Sequence, residues 1–345
     1  MSILLKLLGN VYNNKFGLPP IPPPNTFAGK NVLITGATSG LGLAAATHYV
    51  NLGAASVIIT ARTQAKGLSA KETIEAQTNT KGKDIVQVRE LDMSTFAGAK
   101  AFADKVRQEV KKIDIVLLNA GIYNTKFVKG NEGYEESIQV NVLSTALLAL
   151  LLLPWMKEVG GGAAHLTFVT SGNHRDVQIN TPKWPRENVI GYFSKEENWP
   201  TNPEMYAVSK LLEQYAVNEI AKLGIGKDGK PDVIVNPLCP GMVKSELARH
   251  LKTNIIKSTA IDLIMTVLMK TTEGGARSVL YATLTTPEEH GKYITHYQSD
   301  EDYKLAVQHN VRSPEGQKMQ ERVWKEVVTI LEENVSEVKR IGHPL

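Results

Sequence analysis

Tyr206-Ala-Val-Ser-Lys210 places a phenol and an ammonium four residues apart in what reads as the first turns of a helix. Residues at i and i+4 share one helix face. A phenol with a pKa of about 10 is a poor acid or base at neutral pH. A nearby ammonium stabilises the phenolate and lowers that pKa. Tyr206 can then donate a proton to a carbonyl oxygen or remove one from an alcohol. Taken alone, the pair also recurs by chance as a surface tyrosine beside a solvated lysine.

Two further polar residues fit this chemistry. Ser171 follows the strand-like run Phe168-Val169-Thr170. A hydroxyl at the carboxyl end of a strand stands where ligands bind in doubly wound sheets, and it can hold a carbonyl oxygen near Tyr206. Asn141 lies inside a long apolar helix and can anchor a water that relays protons to Lys210. An interhelical or helix-bending amide is an equally good reading of Asn141 alone. His174, close to Ser171, does not make a hydrolase dyad, because no Gly-x-Ser-x-Gly elbow surrounds the serine.

These residues need elements to position them, and the sequence supplies an alternation. Strands are predicted at Asn31 to Thr35, Ser56 to Thr60, Asp84 to Leu91, Ile113 to Leu118, Ala164 to Thr170 and Asp232 to Asn236. Helices are predicted at Gly42 to Leu52, Phe96 to Lys111, Glu135 to Met156 and Met205 to Leu223. Strands alternating with helices imply right-handed crossovers and a parallel sheet covered on both faces. The expected fold is therefore α/β, a single Rossmann-type doubly wound parallel sheet in residues 30–297.

Residues 1–29 read as an N-terminal arm with a stiff proline-rich stretch at 18–25. Residues 298–345 read as a helical C-terminal extension, with Ser313-Pro314-Glu315 starting an amphipathic helix to about Val335. Two stretches interrupt the alternation. The 172–204 loop is long and rich in aromatics, and the 245–270 segment is apolar on one side. The first is expected to contact substrate and the second to act as a lid or complete the core.

Cofactor signals follow the strands in order. The first strand runs into Thr35-Gly36-Ala37-Thr38-Ser39-Gly40-Leu41-Gly42 and a helix. Glycines let the backbone approach a ligand, and a helix start offers free N–H groups and positive dipole to a pyrophosphate. After the second strand stands Arg62, with Lys66 beyond it, where an acid would bind the ribose hydroxyls of NAD. An arginine fork there suits the 2′-phosphate of NADP(H). Asp92, after the third strand, can accept from the adenine amino group. Asn119-Ala120-Gly121, after the fourth, gives small residues along the cofactor's path. The positive nicotinamide ring of the oxidised cofactor would lower the pKa of Tyr206 further.

Composition narrows the alternatives. The 345 residues carry 39 Lys plus Arg against 35 Asp plus Glu, a net +4 that gives no nucleic-acid footprint. The single cysteine, Cys239, excludes a disulfide within the chain and a cysteine-rich zinc site. It reads as a small buried thiol, fits a reducing compartment, and goes with an expected cytoplasmic location. No histidine spacing suits a metal, so none is expected. The longest strongly apolar run, Ala146 to Leu153, has eight residues, against the ~20 of a spanning helix. Residues 1–12 form a small apolar stripe, read as a helix docked on its own domain, with peripheral membrane contact as the alternative.

Taken together, Thr35-Gly36-xxx-Gly40-x-Gly42, Asn119-Ala120-Gly121, Asn141, Ser171, Tyr206-xxx-Lys210 and Pro240-Gly241-Met242-Val243 resemble the short-chain dehydrogenase/reductase family. The resemblance covers about Gly29 to Tyr297. It implies reversible hydride transfer between NAD(P)(H) and a carbonyl or alcohol, and a catalytic tetrad of Asn141, Ser171, Tyr206 and Lys210. It also implies that Lys210 holds the nicotinamide ribose, and that Pro240, Gly241, Val243 and Ser245 meet the cofactor. Ser245 stands where the family commonly has threonine. In this family the helix before Ala164 commonly builds a dimer interface, so a homodimer is one expectation and plain burial of that helix the other.

Ser171 and Tyr206 are 35 residues apart, more than in most simple members. That spacing resembles the retinol-dehydrogenase-like and fungal secondary-metabolism branches, and the proline-rich start resembles the fungal group. The substrate is expected to be a bulky apolar carbonyl or alcohol of polyketide or terpenoid type. A retinol- or steroid-like alcohol is the enzymatic alternative, and a non-catalytic NADP(H)-binding sensor or scaffold is the rival of another class.

Overall fold

The computed structural model describes residues 3–200, 203–244, 266 and 268–341, with residues 3–8 as backbone only. Six strands form one parallel sheet: β1 Asn31–Ile34, β2 Ser56–Ala61, β3 Val86–Glu90, β4 Ile115–Leu118, β5 Ala164–Val169 and β6 Val233–Leu238. Their order is β3-β2-β1-β4-β5-β6. Chain order therefore reverses between β1 and β4, where Val32 to Ile34 pairs in parallel with Ile115 to Leu117. The connections leave that point on opposite sides of the sheet, and a crevice opens at the carboxyl ends of the strands.

The helices are α1 Ile3–Phe16, α2 Gly40–Asn51, α3 Gln64–Thr78, α4 Phe96–Glu109, α5 Thr145–Val159, α6 Val189–Phe193, α7 Glu204–Leu223, α8 Thr272–Ala282, α9 Asp300–Ala306 and α10 Pro314–Asn334. Side chains alternate across the sheet with a period of two. Leu33, Val116, Leu118, Leu166, Phe168 and Val235 enter one core with α4, α5, α7 and α10. Val32, Ile34, Val57, Ile59 and Leu117 enter the other with α2 and α8.

Most elements lie where the sequence puts them, within two residues or so at each end. Helices α3, α6 and α8 were not anticipated. Helix α3 buries only Gly67, Ala70, Ile74 and Glu75, so it carries almost no apolar periodicity. Thr63 starts it by accepting from the Lys66 N–H, and Asn79 ends it in the left-handed region. The long helix before β5 is not uniform either: Ile138–Ser144 is a π turn that leads into α5. Together, Ile138–Val159 is the one described helix with the length and composition to cross a membrane, yet nearly all of it is buried in the protein's own core.

The 172–204 stretch and the C-terminal extension cover each other. In 172–204, Val177, Ile179, Trp184, Val189, Ile190 and Phe193 are buried in the same core as Met319, Val323, Trp324, Val327 and Leu331 of α10. Glu326 of α10 accepts from the N–H groups of Val189 and Ile190, each at 3.0 Å, and so caps α6. Farther on, Glu337 pairs with Arg107 of α4 at 2.6 Å, and Arg107 also donates to the Leu151 carbonyl of α5. Most of α5 is buried within the chain itself. Because the C-terminal segment is part of the main core, Leu331→Ala is expected to lower the unfolding free energy by about 2–5 kcal/mol. Urea unfolding of the full chain measures this; an unchanged midpoint would mean that α10 is not part of the cooperative core.

Candidate active site at the sheet's switch point

At the carboxyl ends of β1, β4, β5 and β6 lies a cleft of about 660 Å³. The turn after β1 forms its floor. Gly36 has φ +66°, and a Cβ there would stand 2.9 Å from the Ala120 Cα. At Gly42 a Cβ would meet the Gly36 carbonyl and the Asn119 amide at 2.6 Å. Only hydrogen fits at either position, and the backbone comes down flat against the cleft. Ser39 precedes α2 in an extended conformation and makes no side-chain cap. The first-turn N–H groups are thus left to a ligand, which fits a pyrophosphate.

Thr38, Ser39, Gly40 and Leu41 line this end of the cleft, and Arg62 and Lys66 line it beyond β2. Both basic side chains are exposed. Glu90, which pairs with Ala61 across the sheet, turns its carboxylate to the Gln64 N–H at 2.8 Å. That acid caps α3 and does not line the cleft. Asp92 is also outside it: Leu91 and Met93 line the cleft, while Asp92 is exposed and accepts from the Ser94 N–H and hydroxyl. The adenine contact expected of Asp92 is therefore not prepared, because its carboxylate closes a local turn instead. Ser245 and most of the 245–270 segment lie outside the described residues.

At the other end of the cleft, Ser171, Tyr206 and Lys210 come together from β5 and α7. The Ser171 hydroxyl lies near enough to the Tyr206 hydroxyl to favour its ionised form. The Lys210 ammonium lies 5.9 Å from the centre of the Tyr206 ring and donates to the Val169 carbonyl at 3.1 Å. Burial raises the Tyr206 pKa above the ordinary phenol value, while Lys210 and, to a lesser degree, the nearby Ser171 pull it back only in part. The site thus holds the neutral phenol until a further positive charge arrives. Tyr123 covers Tyr206 from the β4 side, with ring centres 5.0 Å apart.

Asn141 stands behind this group. Its carboxamide accepts from the Ile122 N–H at 2.9 Å and donates to the Ile122 carbonyl and the Ser209 hydroxyl. It ties the chain just beyond Asn119-Ala120-Gly121 to α7, from within the π turn. The side-chain amide expected to anchor a water is thus engaged by protein, which favours the interhelical reading of that group. Asn119 in turn donates to the Thr35 and Gly36 carbonyls, locking the β4 turn to the β1 turn.

Pro240, Gly241 and Val243 close the cleft after β6. Two supports of that loop were not visible in the sequence. The Cys239 thiol is buried and accepts from the Gly172 and Gly241 N–H groups and the Tyr297 hydroxyl at 3.2–3.3 Å. Asn14 of α1 accepts from the Met242 N–H at 2.9 Å and donates to its carbonyl at 3.3 Å. The N-terminal helix is thus docked on its own domain, directly over a cleft wall. Both contacts join residues far apart in sequence, and no spacing could signal them.

Apart from Ser171 at its edge, the 172–204 stretch contributes nothing to the described cleft lining. This departs from the expectation of a substrate loop: Trp184 and Phe193 are buried in the core shared with α10, and Tyr192 and Trp199 pack half-buried against it. His174 belongs to this second role. Its ring bonds the Ser171 carbonyl at 2.6 Å and the Tyr303 hydroxyl at 3.2 Å, and burial, helped by the charges of Arg175 and Lys210, lowers its pKa to about 4.

The family model described as short chain dehydrogenase matches residues 30–182. A curated short-chain dehydrogenase/reductase of Aspergillus flavipes is 34% identical over 327 residues, 94% of this chain and 92% of its own length. Another, from Phaeosphaeria nodorum, is 35% identical over 329 residues, 93% of this chain and 92% of its own. Among solved structures, a short chain dehydrogenase of Shigella flexneri complexed with NADP superposes with a TM-score of 0.53 at 21% identity, covering 78% of this chain and 96% of its own.

The buried imidazole behind Ser171 has a measurable consequence. The unfolded chain protonates His174 near 6.5, whereas the folded chain does so only near 4. Stability present above pH 6.5 is therefore lost as the pH falls toward 4. His174 alone is expected to contribute about 2 kcal/mol to the stability lost between pH ~7.5 and pH ~5, so the loss in His174→Gln is expected to be smaller by about that amount, while His296, also lowered to about 4, contributes its own share in both proteins. Urea unfolding at the two pH values checks this, and equal losses in both proteins would contradict it.

Proposed function

Because the chain belongs to the short-chain dehydrogenase/reductase family, a family of oxidoreductases, we propose that it interconverts a ketone or aldehyde with its alcohol using NADP(H). The observation that carries this reading is Tyr206, gathered with Ser171 and the buried Lys210 ammonium in the lining of the glycine-floored cleft. When bound, the cofactor supplies or takes up the hydride.

The chain's residues do the rest. The Gly36 to Gly42 turn and the start of α2 hold the pyrophosphate, and Arg62 with Lys66 meets the 2′-phosphate. The solved Shigella flexneri relative holds NADP, in keeping with that choice. Lys210, in reach of the cleft, holds the nicotinamide ribose as well as fixing the local charge. Ser171 holds the carbonyl oxygen, and Tyr206 gives that oxygen its hydroxyl proton as the C–H bond forms. In the reverse direction the Tyr206 phenolate removes the alcohol proton. Preorganised donors at the developing oxyanion make the reduction fast.

The substrate is a bulky, largely apolar ketone of polyketide or terpenoid type. The cleft near Tyr206 is walled by Ile122, Tyr123, Val128 and Val140, with Asn124, Lys126 and Glu136 at its polar margin. The Tyr123 ring over Tyr206 suits a planar ring system bearing the carbonyl. The curated relatives come from fungi, where such ketones are common intermediates.

Tyr206→Phe is expected to cut turnover about 10²–10⁴-fold while leaving NADPH affinity within about twofold. Following NADPH oxidation across a panel of cyclic ketones, with binding titrations alongside, tests this; retained turnover would refute the mechanism. Arg62→Ala is expected to remove a charge-assisted contact worth about 1.5–3 kcal/mol, weakening NADPH roughly 10–100-fold and NADH hardly at all. Equal affinity of the wild-type protein for the two cofactors would overturn the role of Arg62.

A further inference from the structure

Glu213 is a buried carboxylate that the reaction above does not use. It lies on α7, three residues beyond Lys210, and one carboxylate oxygen is 2.7 Å from the Lys210 ammonium. Both side chains are 3% exposed. Glu213 does not line the cleft, so it touches neither cofactor nor substrate. Its contact is with the lysine alone among the described charged groups, and Lys210 has no other carboxylate partner among the described residues.

Such a pair is not there for stability in any obvious way. Two well-packed apolar residues often serve a core at least as well as a buried ion pair. Breaking the pair by removing one charge is a different matter, because the other is left buried and uncompensated. A buried lysine without a counter-charge releases its proton, and a neutral amine no longer stabilises a phenolate.

We propose that Glu213 is a positioning residue for the reaction, the counter-charge that keeps Lys210 an ammonium and holds it between the Val169 carbonyl and Tyr206. The remaining groups around Lys210 cannot take this part. Tyr206 is on the same helix and neutral at rest, Cys239 faces it from the loop after β6, and His174 stands behind Ser171 as a neutral imidazole. Burial alone would lower the Lys210 pKa, but it is raised, with Glu213 as the largest opposing influence, so the amine stays protonated. The same carboxylate opposes ionisation of Tyr206. Glu213 thus preserves the charge of Lys210 while moderating its pull on the phenol.

This inference rests on the proposed reaction for its purpose, but its test does not depend on turnover. The Lys210 side chain, labelled with ¹³C at Cε and assigned by loss of its signal in Lys210→Met, is titrated by NMR in the cofactor-free full-length protein. Wild type is expected to hold the ammonium beyond the ordinary lysine range. In Glu213→Gln, which keeps the shape and removes the charge, the titration is expected to move down by at least ~2 pH units. Glu213→Asp, which restores the charge, should return most of that shift, and thermal melts confirm that each variant is folded. An unchanged titration in folded Glu213→Gln would overturn the proposal. Should the glutamine variant fail to fold, Glu213→Met takes its place, with the same downward shift expected and an unchanged titration in the folded variant overturning the proposal. Failure of every ketone to turn over would count against the reaction and leave this titration's result standing.

Discussion

A lysine ammonium buried beside a tyrosine hydroxyl is the interaction on which the rest of this site depends. Charge is costly to bury, so an apolar α/β core would be expected to exclude it. Here it is retained at the amino end of α7, where the Val169 carbonyl and the Glu213 carboxylate receive it. With that charge in place, the phenol has a partner that favours its anion. Without it, burial would hold Tyr206 as an inert neutral side chain. Asn141, Ser209 and the π turn keep α7 and the β4 turn in fixed relation, so the spacing between lysine, tyrosine and cleft is set by packed elements rather than by mobile loops.

The fold places this charge at the one point where a parallel sheet is open. Strand order reverses between β1 and β4, and the crossovers part there. Glycines at 36 and 42 let two turns approach within van der Waals contact, held by Thr35 and Asn119. One end of the resulting groove is made of bare backbone N–H groups and basic side chains, and the other is made of aromatic and aliphatic walls. A dinucleotide and a small-molecule substrate fit opposite ends of such a groove. The chain's additional length lies elsewhere: α10 and the 172–204 stretch bury each other's apolar surfaces, and α1 braces the loop after β6.

Much of this was legible in the sequence because the signals were local. Apolar runs at Asn31, Ser56, Ile115 and Ala164 each mark a strand, and Ser313-Pro314 marks the start of α10 to the residue. The residues that meet at the cleft are legible because each follows a strand, and a parallel sheet collects strand ends on one side. Helix α3 escaped because it buries little more than alanine, glycine and a single isoleucine, so periodicity had nothing to act on. Asp92 was misplaced because a carboxylate after a strand can close its own turn as well as face a ligand. The aromatics of 172–204 were assigned to substrate because sequence shows that they need burial but not against what. Asn14, Cys239 and Glu213 act through contacts with no sequence signature, two of them across more than fifty residues and the third hidden as an ordinary i, i+3 pair.

The central claim is that Tyr206 is a neutral phenol in the free protein and becomes the proton-transfer group once the oxidised cofactor adds its positive charge nearby. Ultraviolet difference titration of tyrosinate, wild type against Tyr206→Phe, measures its ionisation directly with and without saturating NADP⁺. The account predicts a titration above the ordinary phenol range in the free protein that moves clearly downward when NADP⁺ is bound. An identical titration in both states would contradict it.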